Sequence, residues 1–259
     1  MTTWQVHAVK YAERNDRTRA DSFIGDADPG AQHGMDYFLW VLRSEGRTIL
    51  VDSGYDSAEG AARGRPIQLE PHEALAPFGI APEEIETLIV THLHYDHAGG
   101  LHHFPNAHLH MQAAEMAFAT GPCMCEDPLR APYTGAHVCE AVMRLYRGKL
   151  SFHDGDAAIA DGVTVHRIGG HSRGLQCVRV RTEAGWLVLA SDAAHYWENA
   201  ERALPFPIVV DVEDMLRGFR RIMDLATPGL MIPGHDPLVR ERFPNDLAPH
   251  VTRLDRGPR

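Results

Sequence analysis

Cysteine and long apolar runs are both scarce in this sequence. Its 259 residues include 4 cysteines, whose irregular spacing supports neither a disulfide framework nor a paired CxxC motif. No window approaches about eighteen consecutive apolar residues, so we expect no transmembrane helix. The first residues also lack the basic start and apolar run of a secretory signal peptide. Together these absences predict a cytoplasmic protein with reduced thiols and no membrane partner.

Positive charge is also in deficit. The chain carries 25 Lys and Arg against 35 Asp and Glu, a formal net charge of −10. Nucleic acid is therefore not an expected partner, because phosphate binding needs a basic face. A composition of 44% hydrophobic and 23% charged residues is typical of a folded protein, and we predict a single domain over residues 1–259.

Histidine, in contrast, is abundant. The chain has 17 histidines, as many as its prolines, although histidine is not a common residue of globular proteins. A dense group of them lies between His92 and His110. This region is therefore the first place to look for metal or proton chemistry.

Apolar patterning predicts strands that alternate with helices. Strands are predicted at 4–9, 36–43, 47–52, 87–91, 106–111, 163–168, 175–181 and 186–190. Helices are predicted at 112–120, 137–147 and 212–226, with shorter helical segments ending near Gly79 and starting at Pro82. Because the strands come in hairpins, the pattern favours two sheets sandwiched by helices over a Rossmann sheet. Residues 121–150, interrupted by Gly and Pro, are predicted to form an inserted lid or substrate loop.

A run of metal-ligand side chains follows the predicted strand 87–91. It consists of His92, His94, Asp96 and His97. If the chain turns sharply out of the strand, these side chains project to two sides of one loop. Each side then receives a pair of donors suited to a divalent transition metal. A chance group of polar loop residues is the alternative, and the position directly after a buried strand disfavours it.

This segment resembles the HxHxDH signature of the metallo-β-lactamase-fold hydrolases. The resemblance extends over nearly the whole chain, through an Asp52-Ser53-Gly54 turn and three later ligand-type residues, His171, Asp192 and His235. It implies an α/β fold, an αββα sandwich of two mixed β-sheets flanked by helices. It also implies two metal sites, one formed by His92, His94 and His171, the other by Asp96, His97 and His235, with Asp192 as the bridge. Asp52 is expected to orient the ligand loop.

The implied cofactor is a pair of divalent metal ions. Zn²⁺ is the expected metal, and Fe, Mn and Co stay open because His and Asp ligands accept all of them. Two neighbouring cations lower the pKa of a bound water and so supply hydroxide for attack on a carbonyl. Asp96 or the bridging pair then relays a proton. No Ser, Cys or Lys nucleophile is needed.

The ligand types select among branches of this family. Flavodiiron-type oxidoreductases carry Glu where this chain has His94, and the principal metallo-β-lactamases place Cys or Ser where Asp192 stands. The motif fits glyoxalase II-like thioesterases and N-acyl homoserine lactonase-like enzymes, and the surroundings resemble the lactonases more closely. The resemblance therefore implies a quorum-quenching type of hydrolase that opens a lactone ring. Its expected partner is a small lactone or ester, and a homodimer is one open assembly state.

One position departs from the lactonase pattern. Those enzymes typically carry Tyr three residues after the bridging Asp, whereas here His195 stands there and Tyr196 follows. Either side chain can donate a hydrogen bond to the developing oxyanion, or both can be packing residues. The change leaves lactones other than acyl homoserine lactones open. The candidate pocket walls are large apolar residues: Phe23, Met35, Tyr37, Met116, Tyr133, Trp197 and Phe206.

Three other functions stay open beside the lactonase. A glyoxalase II-like thioesterase uses the same ligand set. A persulfide dioxygenase-like oxidoreductase keeps the HxHxDH residues but places fewer of them on a single iron. A binding protein without catalysis is the third, and the complete ligand set disfavours it.

Overall fold

The computed structural model describes residues 2–259, which form strands and helices in layers. The strands are β1 (Gln5–Arg14), β2 (Met35–Ser44), β3 (Arg47–Val51), β4 (Thr87–Ile89), β5 (His108–Gln112), β6 (Leu150–His153), β7 (Ala157–Ala160), β8 (Val163–Arg167), β9 (Gln176–Thr182), β10 (Gly185–Ser191), β11 (Met231–Pro233), β12 (Asn245–Asp246) and β13 (Ala248–Arg253). The helices are α1 (Ser57–Arg63), α2 (Tyr95–Ala98), α3 (Ala113–Ala119), α4 (Asp127–Arg130), α5 (Gly135–Tyr146), α6 (Trp197–Arg202), α7 (Val212–Leu225) and α8 (Leu238–Arg242). Short 3₁₀ turns span Arg19–Asp21, Glu73–Phe78, Pro82–Glu84, Leu101–His103 and Pro122–Cys125. None of the helices within residues 2–259 is long and apolar enough to cross a bilayer.

Two mixed sheets form the central layers. The larger sheet has eight strands in the order β12-β13-β1-β2-β3-β4-β5-β6, and the smaller has five in the order β11-β10-β9-β8-β7. Strands β3 to β6 run parallel to one another, and so do β10 and β11. The other neighbouring strands are antiparallel. These sheets and their flanking helices confirm the predicted αββα sandwich.

Strand β2 shows why the central strands consist of unbroken apolar runs. Its buried side chains alternate between the core beneath α2, α3 and α5 and the core between the two sheets. The first set is Tyr37, Leu39 and Val41, and the second is Phe38, Trp40 and Leu42. Because both faces are buried, successive positions must be apolar. The predicted hairpin to β3 is confirmed, with Ser44 paired to Arg47 across a two-residue turn.

Helix α7 packs against the core of the smaller sheet. Met215, Phe219 and Ile222 are buried. The side chain of Asp211 accepts a hydrogen bond from the amide of Asp214 in the first turn, which caps the helix. Met223, in the last turn, is exposed.

Five short strands have no counterpart in the sequence prediction: β6, β7, β11, β12 and β13. β6 and β7 lie at sheet edges and are half-exposed, so their apolar pattern is weak. β11 contains only three residues, too few for any periodicity. β1 also extends beyond the predicted 4–9, through a bulge between Lys10 and Ala12.

Residues 121–150 divide into two parts, which corrects the prediction of one lid. In α5, Val138 and Ala141 are buried, and the buried Arg144 donates to the backbone carbonyls of Leu101 and Phe104 at 3.0 Å each. Since these contacts tie α5 to the 3₁₀ turn Leu101–His103 and the residue after it, the helix belongs to the scaffold. Only the segment before α5 stays a candidate lid.

The sheets bring the carboxyl ends of their parallel strands to one edge of the sandwich. Asp52 follows β3, and the histidine motif follows β4. From the smaller sheet, Asp192 follows β10 and His235 follows β11, while His171 lies in the connection from β8 to β9. The residues predicted to bind metal therefore share one edge, as ligand residues of parallel sheets commonly do.

Candidate metal centre

Seven predicted ligand side chains converge at this edge. They are His92, His94, Asp96, His97, His171, Asp192 and His235. Ligand atoms lie within 4.8 Å of one another in three subsets: His92 with His94 and His171, His92 with His97 and Asp192, and Asp96 with His97 and His235. All seven residues are buried. The first and third subsets are the two groups that the sequence predicted.

The carboxylate of Asp192 lies between these two groups. Its Oδ2 lies 3.2 Å from Nε2 of His171 and 3.9 Å from Nε2 of His92. Its Oδ1 lies 3.0 Å from Nε2 of His235 and 3.2 Å from Nε2 of His97. One oxygen therefore faces each group, which is the placement that a bridging carboxylate requires.

Hydrogen bonds on the far side of three rings determine which nitrogen faces the cluster. Nδ1 of His97 lies 2.7 Å from Oδ2 of Asp52. Nδ1 of His171 and of His235 lies 2.7 and 2.9 Å from backbone carbonyl oxygens. Because a carbonyl or carboxylate oxygen accepts, each Nδ1 carries a hydrogen, and in the neutral ring each Nε2 therefore points its lone pair into the cluster. This is the tautomer of a metal ligand.

Several buried atoms of the cluster have no hydrogen-bond partner in the described part of the chain. They are Nε2 of His92, Nε2 of His97 and Oδ1 of Asp192. Nδ1 of His94 and Nε2 of His171 face each other at 2.8 Å. Converging lone pairs are unfavourable in a buried site unless a cation lies among them. The imidazole and carboxylate donors therefore fit divalent transition metal ions.

Electrostatics within the cluster differ from ring to ring. Burial disfavours the charged form of His97 and His235, but the carboxylates of Asp192 and Asp96 outweigh it and raise the pKa of both rings, so a metal ion bound there would displace a proton from each. Burial and the neighbouring imidazoles hold the pKa of His92 and of His94 well below its ordinary value, so both rings are neutral. Burial opposes ionisation of Asp192, but the adjacent His97 and His235 hold the pKa of its carboxyl well below the ordinary range. Neutral imidazole and ionised carboxylate are the ligand forms.

Strained backbone at two positions aims the ligand loops. Asp52 and Ser191 have φ angles of 60° and 48°, which residues other than glycine rarely adopt. Asp52 accepts hydrogen bonds from the amide and hydroxyl of Thr91 at 2.7 and 2.8 Å, and the Thr91 hydroxyl lies 2.8 Å from that of Ser191. These contacts join the ends of β3, β4 and β10. Asp52 thus holds His97 and Thr91 in place, the role expected of it.

A buried carboxylate that sequence reasoning missed ties two ligand loops together. Glu115, in α3, is 1% exposed. Its Oε1 accepts from the amide of Leu93 at 3.0 Å, inside the histidine motif. Its Oε2 accepts from the hydroxyl of Ser172 at 2.6 Å, beside His171, and from the amide of Gly174 at 3.0 Å. The sequence gives little signal for this role, because a lone glutamate in a helix is normally exposed.

The two residues proposed to assist the oxyanion lie in different places. His195 lines the pocket above the cluster, with Nε2 2.9 Å from Oδ2 of Asp192 and its ring stacked on Phe206. The hydroxyl of Tyr196 donates to the carbonyl of Gly34 at 3.1 Å. Because this bond holds the side chain of Tyr196 and the residue does not line the pocket, its placement favours the packing alternative.

A pocket of about 370 Å³ opens onto the cluster. Its volume lies in the range of small-molecule sites. Apolar side chains form much of its wall: Phe118, Pro128, Leu129, Pro207, Ile208 and Val210. Of the predicted wall residues, Met35 and Tyr37 line the pocket. The others pack in the surrounding cores: Phe23, Met116, Tyr133, Trp197 and Phe206.

Sequence reasoning also missed the arginines of the pocket wall, Arg17, Arg63 and Arg65. Arg63 is paired with Glu59. No carboxylate of residues 2–259 lies within 4.0 Å of the guanidinium of Arg17 or Arg65, although Arg65 donates to the hydroxyl of Tyr95. Two guanidinium groups thus face the pocket without an acidic partner. Arg17 and Arg65 lie in irregular segments, where neither a helix or strand periodicity nor a motif identifies a functional residue.

Comparison with known families assigns the chain. The model of the Metallo-beta-lactamase superfamily matches residues 36–242, a range that includes all seven clustered ligand residues. The chain belongs to the metallo-beta-lactamase superfamily. The fold and the hydrolase class predicted from the sequence are confirmed by this assignment.

Curated relatives of this superfamily member include two kinds of ester hydrolase. It is 28% identical over 238 residues to an N-acyl homoserine lactonase of Bacillus cereus, covering 85% of this chain and 88% of the relative. It is 28% identical over 212 residues to the acyl-coenzyme A thioesterase MBLAC2 of Gallus gallus, covering 76% and 71%. Both relatives are hydrolases of ester-type bonds, one of a lactone and the other of a thioester.

A solved structure shows the same fold. An N-acyl homoserine lactone hydrolase with N-hexanoyl-L-homoserine bound at its catalytic metal centre gives a TM-score of 0.75. The match has 24% sequence identity and covers 92% of this chain and 95% of the other. At this identity the likeness is one of fold.

Replacing Glu115 should destabilise the protein and loosen both ligand loops. The Glu115→Ala variant leaves several buried donors without an acceptor, so we expect a loss of about 3 kcal/mol of unfolding free energy. Urea denaturation of the metal-free protein measures it. Glu213→Ala, at an exposed position of α7, is the control and should change stability by less than about 0.5 kcal/mol. Equal stability of the two variants would contradict the role of Glu115.

Proposed function

We propose that this chain is a dinuclear metal-dependent lactonase, with an N-acyl homoserine lactone as the first candidate substrate. The observation that carries the proposal is the placement of Asp192, which turns one oxygen to each of two ligand groups at the base of a pocket. The relationship to the lactonase of Bacillus cereus supports the lactone as substrate.

The ligand assignment follows the two groups. His92, His94 and His171 would hold one ion, and Asp96, His97 and His235 the other, with Asp192 shared between them. When bound, two divalent ions would polarise the ester carbonyl and lower the pKa of a bound water. Zn²⁺ suits these donors, and Fe, Mn and Co suit them as well.

The chain's own residues would orient the substrate and move its protons. The apolar walls would hold an acyl chain and exclude water. Nε2 of His195 donates to Oδ2 of Asp192 at 2.9 Å; when a metal ion takes up that oxygen, the same N–H would be free to donate to the carbonyl oxygen as negative charge develops. Asp96 lines the pocket, and its carboxylate would carry a proton from the attacking water to the departing alkoxide.

The rate of lactone hydrolysis should increase with the metal content of the protein. We expect about two divalent ions per chain in the active protein, and chelation should abolish the hydrolysis of lactones. Elemental analysis and a lactone panel that varies the ring and the acyl chain measure both. Full activity without metal would contradict the proposal. One iron per chain, with oxygen consumed on a glutathione persulfide, would instead support a persulfide dioxygenase.

Removing the imidazole of His195 should slow the reaction without loss of the bound metal ions. In His195→Phe we expect kcat to fall by about 100-fold with little change in KM, because the lost donor acts in the transition state. Tyr196→Phe is the matched control and should keep its kcat, since that hydroxyl bonds to the carbonyl of Gly34. If His195→Phe with full metal content kept the original kcat, the oxyanion role would be wrong.

A thioesterase is the second candidate function, and the unpaired arginines favour it. Arg17 and Arg65 offer guanidinium donors in the pocket without a carboxylate partner within 4.0 Å among residues 2–259. Guanidinium groups bind phosphate and carboxylate strongly. The acyl-coenzyme A thioesterase among the relatives adds support for an anionic thioester.

Matched thioesters separate the two candidates. For a thioesterase, Arg65→Gln should lower kcat/KM for an acyl-coenzyme A by about tenfold, the loss of one charge-assisted hydrogen bond. It should spare the N-acetylcysteamine thioester of the same acyl group, which carries no phosphate. Arg202→Gln, on exposed α6, is the control. Equal rates on both thioesters in the wild type and in Arg65→Gln would reject anionic recognition by Arg65.

A further inference from the structure

A second group of histidines and carboxylates lies outside the ligand set described above. We call it the second histidine cluster, and it consists of Asp56, Glu70, His72, His102 and His103. Three segments contribute to it: the residue that caps α1, the loop before the 3₁₀ turn Glu73–Phe78, and the 3₁₀ turn Leu101–His103.

His103 belongs to two sets of neighbouring ligand atoms. Ligand atoms of Glu70, His72 and His103 lie within 4.8 Å of one another, and so do those of Asp56, His102 and His103. The rings of His72 and His103 stack with their centroids 3.9 Å apart. Nε2 of His102 lies 3.5 Å from Oδ2 of Asp56. All five side chains therefore meet around His103.

The inner set has unused hydrogen-bonding capacity. Oε2 of Glu70, Nδ1 of His72 and Nε2 of His103 are buried and have no hydrogen-bond partner within residues 2–259. Three such atoms on three neighbouring residues are unusual, because buried polar atoms are normally paired. Burial and the neighbouring rings of His102 and His72 also lower the pKa of His103 to about 4, so this imidazole is neutral at physiological pH.

The segments that carry these side chains are held against each other before any ligand arrives. Pro71, between Glu70 and His72, packs closely on Gly54. A Cβ added to Gly54 would lie 2.7 Å from Cγ of Pro71. The amide of Gly100 donates to the carbonyl of the same Gly54 at 2.9 Å, directly before the turn that bears His103. A site preorganised in this way loses little entropy on binding an ion.

We propose that the second histidine cluster is a further metal site, which binds a divalent transition ion through Glu70, His72 and His103. Two histidines and one glutamate form a ligand set that zinc accepts, with a fourth position left for water or another donor. Asp56 and His102 are the nearest additional donors.

The expected effect of this ion is structural. Arg65 lies in the connection between Asp56 and Glu70 and lines the pocket. An ion held by Glu70 and His103 would fasten this connection to the turn that follows the histidine motif. The proposal does not depend on which ester the enzyme hydrolyses.

Zinc stoichiometry tests the site directly. Zn²⁺ alone is titrated into the chelator-treated full-length protein, and the zinc retained after gel filtration is counted. We expect about three ions per chain in the wild type and about two in Glu70→Gln, His72→Gln and His103→Gln, since each variant removes one of three donors. His166→Gln, on β8 of the smaller sheet, removes a histidine elsewhere and should keep the wild-type count.

The seven-residue centre is tested separately. Asp192→Ala should still retain an ion that is lost on adding His103→Gln, so failure of the lactonase proposal and failure of this one remain distinguishable. The melting temperature gives a second readout, because zinc should raise it less in His103→Gln than in the wild type. Equal zinc counts and equal melting shifts in wild type and His103→Gln would overturn the proposal.

Discussion

The arrangement of the candidate metal centre depends on the buried carboxylate of Asp192. It is 3% exposed, and a charge in that position is stable only when opposite charge or hydrogen-bond donors reach both oxygens. His171 and His235 approach opposite oxygens, at 3.2 and 3.0 Å, from loops on different strands. A cation shared by each ring and the oxygen that it faces would supply the opposite charge. The carboxyl ends of β3, β4, β10 and β11 must therefore meet at one edge. The stacking of two mixed sheets provides that meeting point.

Hydrogen bonds to buried carboxylates next to the ligand loops hold the site rigid. Asp52 and Glu115 are both buried, and each accepts hydrogen bonds from loops that carry ligands. Neither side chain is exposed to solvent, so these two charges hold the ligand loops in position and take no part in substrate recognition. Ligands held from behind keep their geometry without metal, which lowers the ordering needed when metal binds. The positive φ angles of Asp52 and Ser191 are sustained by the same contacts.

Features encoded locally could be predicted from the sequence, and features that depend on packing could not. The seven ligands are marked by their order after strands, and β2, β3 and α7 by strong apolar patterns. Glu115 and Arg65 carry no such mark, because their roles arise only when distant segments meet. His195 and Tyr196 are adjacent in sequence, and only the turn after β10 decides that His195 reaches the pocket. The edge strand β7 escapes prediction because its four residues, three of them alanine, are too few and too small to form a strand pattern.

The histidine excess illustrates why composition alone does not separate functional from structural residues. His7 forms a hydrogen bond to Asp246 through Nε2 at 3.1 Å, its Nδ1 has no hydrogen-bond partner in the described part of the chain, and its ring packs edge-on with that of Phe78. In the metal centre, by contrast, unpaired ring nitrogens converge with carboxylate oxygens. Convergence of unpaired lone pairs, and not their number, is what demands a cation. His72 and His103 meet the same criterion, although they lie outside the HxHxDH motif and do not directly follow a strand.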